Sequence, residues 1–172
     1  MLLRFKVGDV KAMALYEYSE AFRSALYQLK GCGDIELAKS FLSYFLPILK
    51  PTFHGYVIVP APSSKSHDEQ RGFNQVVEIA KPLGLTVINV LAKDEAEKQS
   101  SLSRERRLEV GKHIRLLDGS AIAGRKVLLL DDVYTTGSTI KACIRLLQGA
   151  KPKRLRVLVV AKTPIKTREI TD

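Results

Sequence analysis

The stretch VLLLDDVYTTGST, Val127 to Thr139, decides the fold. Its apolar run, Val127 to Leu130, leads straight into two adjacent carboxylates, Asp131 and Asp132. A turn rich in hydroxyls follows, Thr135-Thr136-Gly137-Ser138-Thr139, and after it apolar residues fall at 140, 143, 144 and 147. A continuous apolar run is the mark of a strand buried on both faces, and the later spacing is that of an amphipathic helix. The stretch therefore predicts a strand over 126–132, a tight turn, and a helix over 137–149 ended by Gly149.

That junction has a chemical reading. The first amides of a helix lack partners within it, and the helix dipole adds partial positive charge there. The hydroxyls supply further donors, and Gly137 lets the backbone approach a ligand closely. Together they describe a phosphate cradle. A plain Ser/Thr N-cap needs fewer hydroxyls than Thr135, Thr136, Ser138 and Thr139 provide. The two acids would repel a phosphate unless they held something else. Sugar hydroxyls or a divalent cation are suitable partners. An acid placed directly after four apolar residues is costly without such partners.

Working outward, strands are predicted over 12–18, 56–62, 86–91 and 155–161. Helices are predicted over 21–30, over 34–49 with Pro47 kinking or ending it, and over 71–84 with Phe73, Val76, Val77 and Ala80 toward the core. The run from 50 to His54 reads as a connector. Residues 92–113 carry six lysines and arginines and read as a mobile loop, partly helical near 104–109. Residues 2–15, together with 52–56, match no interpretable binding pattern, and residues 2–11 are assigned no element. Strands alternating with helices indicate a mostly parallel sheet covered on both faces. In such sheets ligands bind at the carboxyl ends of the strands, where Asp131 and Asp132 fall.

The chain has 172 residues, which fits one domain over 1–172, and its 45% hydrophobic content can supply a core. The net charge of +10 favours an anionic partner: nucleic acid, a phosphorylated small molecule or an acidic protein surface. The two cysteines, Cys32 and Cys143, are too few for a four-cysteine zinc site, and Cys143 reads as a buried free thiol. Histidines 54, 67 and 113 are scattered and make neither a triad nor a metal cluster. Walker A and G-x-G-x-x-G loops are absent. In a haloacid-dehalogenase-like site a second acid would follow two positions on, where Val133 or Tyr134 stands. No apolar run has the length of a membrane span, and MLLRFKVGDV has no signal-peptide core, so the cytoplasm is the expected compartment.

An apolar strand, Asp-Asp and a Thr-Thr-Gly-x-Thr turn resemble the phosphoribosyl-diphosphate (PRPP) motif of type I phosphoribosyltransferases. Further segments resemble the ComF (ComFC) branch, which is linked to late competence and DNA uptake. They are Tyr16-x-Tyr18, Val59-Pro60-x-Pro62, Arg71-Gly72-Phe73-Asn74-Gln75, and Gln99-x-x-Leu102 with Arg107. The resemblance spans roughly residues 12–163. It implies a type I phosphoribosyltransferase fold with a mobile hood loop over the site.

Carried over residue by residue, the resemblance assigns the ribose hydroxyls of PRPP to Asp131 and Asp132. Mg2+ would be held indirectly by the same pair, through ribose and water. Thr135, Thr136, Gly137, Ser138 and Thr139 would hold the 5′-phosphate. Ala61, Pro62, Ser63 and Arg71 would meet the pyrophosphate, together with Arg104 and Arg107 from the hood. The implied reaction breaks the C1′–pyrophosphate bond. Glu69 and Val110 stand where the family pattern has arginine and asparagine. The family's four-cysteine zinc module has no counterpart in this sequence, so zinc is not expected. Besides PRPP, the implied partners are single-stranded DNA and an uptake helicase or other competence protein. A non-catalytic competence factor and a PRPP-sensing regulator are the alternative roles.

Overall fold

The computed structural model describes residues 2–20, 22–24, 42–62, 75–93 and 114–164. Its centre is a five-stranded sheet in the order β1-β2-β7-β6-β3. The strands are β1 (Leu3–Val7), β2 (Val10–Glu17), β3 (Tyr56–Pro60), β6 (Lys126–Tyr134) and β7 (Arg154–Lys162). β2–β7, β7–β6 and β6–β3 pair in parallel, and only β1 runs antiparallel. A separate antiparallel ribbon joins β4 (Leu91–Lys93) to β5 (Ile114–Leu116).

The central stretches of β3, β6 and β7 are apolar because both faces are covered. Val127, Leu129, Val157 and Val159 pack on one face against Ile140, Cys143, Ile144 and Leu147. Those four belong to α3 (Ser138–Gly149), the helix expected from the 3–4 spacing. Leu128, Leu130, Leu158 and Val160 pack on the other face against Leu49, Val76, Ile79 and Ala80. Leu49 lies in α1 (Leu46–Thr52), and the other three lie in α2 (Gln75–Ala80), which a 3-10 turn over Lys81–Leu83 extends. Tyr16 and Tyr18 share this second face, with Tyr16 5.3 Å from Phe45.

Several local expectations are corrected. The chain is helical at 42–43, turns at 44–45 and restarts at Leu46, so the expected break falls beside Pro47, which itself sits in the first turn of α1, where its missing N–H has no helical partner to lose. The same helix runs to Thr52, through what reads as a connector. The strand expected over 86–91 reduces to a bridge between Val87 and Ile58, and the ribbon strand begins only at Leu91. Val77 is half-buried, while Ile79 takes its expected place in the core. Residues 2–11 form β1 and the start of β2, joined at Gly8-Asp9 with Gly8 at φ 59°. The helix expected over 21–30 begins at residue 20, where Ser19 Oγ accepts from the Phe22 amide. The remainder of that helix, residues 34–41, and the hood over 94–113 lie outside the described residues.

Candidate functional site

Asp131 and Asp132 lie near the carboxyl end of β6, both half-buried. The apolar run carries the chain through the core, and the strand emerges at these acids. The amide of Asp132 donates to Asp131 Oδ1 (2.9 Å), and the amide of Val133 donates to Asp132 Oδ1 (2.7 Å). The named pairs with β7 step from Asp131↔Val159 to Val133↔Ala161. Burial pushes the Asp131 carboxyl well above its ordinary range, and the neighbouring charge of Asp132 pushes it further. Lys93, at the end of β4, acts in the opposite direction. The Asp131 carboxyl is therefore poorly stabilised as an anion beside Asp132. Hydroxyl donors or a cation would relieve that repulsion.

Beside them, the loop after β3 begins. The Ala61 amide donates to the Leu130 carbonyl at 2.7 Å, which fixes Ala61 and Pro62 next to Asp131. Ala61 is buried and Pro62 half-buried. Ser63, Arg71, Arg104 and Arg107 lie outside the described residues.

The turn supplies the third component. Gly137 is the N-cap of α3, at φ 75°, and no side chain caps the helix. Its carbonyl accepts the Lys141 amide at 2.8 Å, so the amides of Ser138, Thr139 and Ile140 precede the first helical bond. The first turn contains no acid. Thr136 Oγ1 and Ser138 Oγ lie 3.2 Å apart, and Thr135 and Thr136 are exposed. The Ser138 amide donates to Thr136 Oγ1 only at 3.5 Å, so the turn still offers amide and hydroxyl donors, with a favourable dipole, to an anion.

Four contributors escaped the sequence reading. Thr163, just after β7, donates its amide to the Tyr134 carbonyl (3.0 Å) and its hydroxyl to the same carbonyl (3.2 Å). It ties down the start of the turn from the neighbouring strand. The Tyr134 ring packs against Gly137, and Phe5 meets that ring edge-on with centroids 5.0 Å apart. Lys93, on the ribbon, acts electrostatically on Asp131. Only an alternating Leu3-Arg4-Phe5-Lys6-Val7 could have flagged β1, and nothing local marks Thr163 or Lys93. Cys143 is the buried free thiol expected, pushed up to about 12 by burial and by the Asp131 charge.

A half-open parallel sheet with carboxylates, a loop and an uncapped helix start at one end defines a class of phosphoribosyltransferase-like domains. The phosphoribosyl transferase domain family matches residues 69–172. The fold is similar to a hypoxanthine-guanine phosphoribosyltransferase from Bacillus anthracis, with a TM-score of 0.50 and 17% identity over 76% of this chain and 72% of that one. The chain is 32% identical to the competence protein ComFC of Streptococcus pneumoniae over 89% of its own length and 69% of that protein's. It is also 32% identical to ComFC of Bacillus subtilis, over 78% of its own length and 56% of the relative's. The chain belongs to the ComFC family of phosphoribosyltransferase-like competence proteins. It spans little more than half the length of the second relative. Among the described residues, no helix is long and apolar enough to cross a membrane.

Proposed function

We propose that this domain binds Mg-PRPP at the carboxyl end of the sheet and transfers its phosphoribosyl group during DNA uptake. The carrying observation is the junction of Asp131 and Asp132 with an uncapped, acid-free helix start at Gly137. In this reading Asp131 and Asp132 accept the ribose 2′- and 3′-hydroxyls. Thr135, Thr136, Ser138, Thr139 and the amides around Gly137 hold the 5′-phosphate. Ala61 and Pro62 border the pyrophosphate, joined by Ser63, Arg71, Arg104 and Arg107.

The donor set fits Mg2+. It is all oxygen, and two carboxylates, with no cluster of three metal-ligating side chains among the described residues, leave room for water and substrate oxygens, as this ion prefers. When bound, the ion would offset charge on the departing pyrophosphate. The carboxylates would stabilise the oxocarbenium-like ribose as the C1′–O bond breaks. PRPP with Mg2+ should raise the melting temperature of the wild-type protein, and Asp131→Asn/Asp132→Asn should abolish that rise. An equal rise in both proteins would reject this assignment of the site.

A further inference from the structure

A second concentration of charge lies at the opposite end of the sheet. A cavity of about 570 Å³ is lined by Arg4, Lys6, Lys11 and Arg156, over a floor that includes Met13 and Phe53. No acid lines it among the described residues. Lys6 and Lys11 face each other directly across the β1–β2 pair. Like charges in that position destabilise a sheet. Arg4 stands opposite Met13 in the same pairing, two residues from Lys6. Arg156 lies in β7 one residue before Val157, the partner of Ala12, and therefore flanks Lys11. Its guanidinium sits 5.9 Å from the centre of the Tyr56 ring, which Lys126 also approaches at 5.8 Å. The aromatic face holds Arg156 in place beside the cavity.

The cavity opens at the amino ends of the parallel strands, away from Asp131. Arg156 is near the start of β7, whereas Asp131 pairs with Val159 toward its end. With strands ~4.8 Å apart and ~6.8 Å between alternate residues, the four cations cover a patch roughly 7 by 10 Å. That is the extent of a short polyphosphate. A single-stranded nucleic acid would want a longer cationic track and rings on which bases can stack. Of the two lining rings, Phe53 is 1% exposed and Phe5 is engaged edge-on with Tyr134, so neither serves as such a platform.

We infer that this cavity is a second, separate site for a compact polyphosphate, of the nucleoside di- or triphosphate class, whose charge neutralises the opposed Lys6 and Lys11. The site does not depend on PRPP binding at the other end. Inorganic tripolyphosphate titrated calorimetrically into the full chain tests it, using wild type, Lys6→Ala/Lys11→Ala and Ser138→Ala/Thr139→Ala. Affinity should fall about tenfold or more in the lysine variant, as expected for lost charge-assisted contacts, and hold in the turn variant. Lys6→Arg/Lys11→Arg should retain binding. Without ligand at low salt, the alanine variant should melt no lower than wild type, because a repulsive pair is gone. Unchanged binding in the lysine variant would overturn the inference, as would loss confined to the turn variant. A Lys6/Lys11-dependent affinity for oligothymidylate with none for tripolyphosphate would also overturn it, in favour of a nucleic-acid surface.

Discussion

The side chain of Tyr134 lies so close to Gly137 that a Cβ on residue 137 would fall under 3.0 Å from two ring carbons and the hydroxyl oxygen. Gly137 is also at φ 75°, a conformation L side chains rarely adopt. The turn therefore needs glycine for both backbone and space. Gly137→Ala should destabilise the fold by ~2–4 kcal/mol in urea denaturation, combining left-handed strain with overpacking. Adding Tyr134→Ala should recover the overpacking part alone. Full recovery would show that the backbone conformation carries no cost.

Phe5 reaches the same ring from β1, the strand not expected from the sequence. The edge-on contact at 5.0 Å should appear as a coupling of about 0.5–1.5 kcal/mol between Phe5→Leu and Tyr134→Leu in a double-mutant cycle. Strict additivity would mean the two rings touch without supporting each other.

Thr163 holds the entry to the turn by two bonds to the Tyr134 carbonyl. Thr163→Val keeps the shape and the amide bond but removes the hydroxyl. A loss of about 0.5–1.5 kcal/mol is expected in denaturant unfolding, with weaker PRPP binding as the turn loosens. Thr163→Ser should retain both properties.

Asp131 sets a pH dependence whose sign follows from its environment. Its folded-state pKa is raised above the ordinary 3.8 by burial and by Asp132. Its contribution to stability is therefore fully present below the unfolded pKa and is lost as pH rises through the folded one. At neutral pH, without ligand, the charged side chain works against folding. Asp131→Asn should raise the neutral-pH melting temperature, at roughly 2–4 °C for each kcal/mol relieved, and flatten the melting profile between acid and neutral pH. A lower melting temperature at neutral pH would reverse this account of Asp131.

The sheet was readable where the chain is locally consistent. β6, the turn and α3 combine an apolar run, a glycine and a 3–4 repeat, and each element forms where its pattern says. The Leu3–Val7 alternation does carry the period of a half-buried strand, and its two cations line an open cavity. Residues 86–90 look like a strand by composition, yet they pair with β3 only at Val87. Pro47 illustrates a breaker whose meaning depends on position, since the first turn of a helix tolerates it. The acids and the hydroxyl turn could be named from local sequence, and Ala61 and Pro62 only through the resemblance. Tyr134, Thr163 and Lys93 act through neighbours distant in sequence, which only the sheet order brings together.

The central claim is that Asp131, Asp132 and the turn from Thr135 to Thr139 form one PRPP site. Isothermal titration of PRPP into the protein, with Mg2+ and then with chelator, tests it most directly. Saturable 1:1 binding that requires Mg2+ and disappears in Asp131→Asn/Asp132→Asn is the predicted result. No binding at millimolar PRPP, or binding unchanged by the double substitution in protein that remains folded, would contradict it.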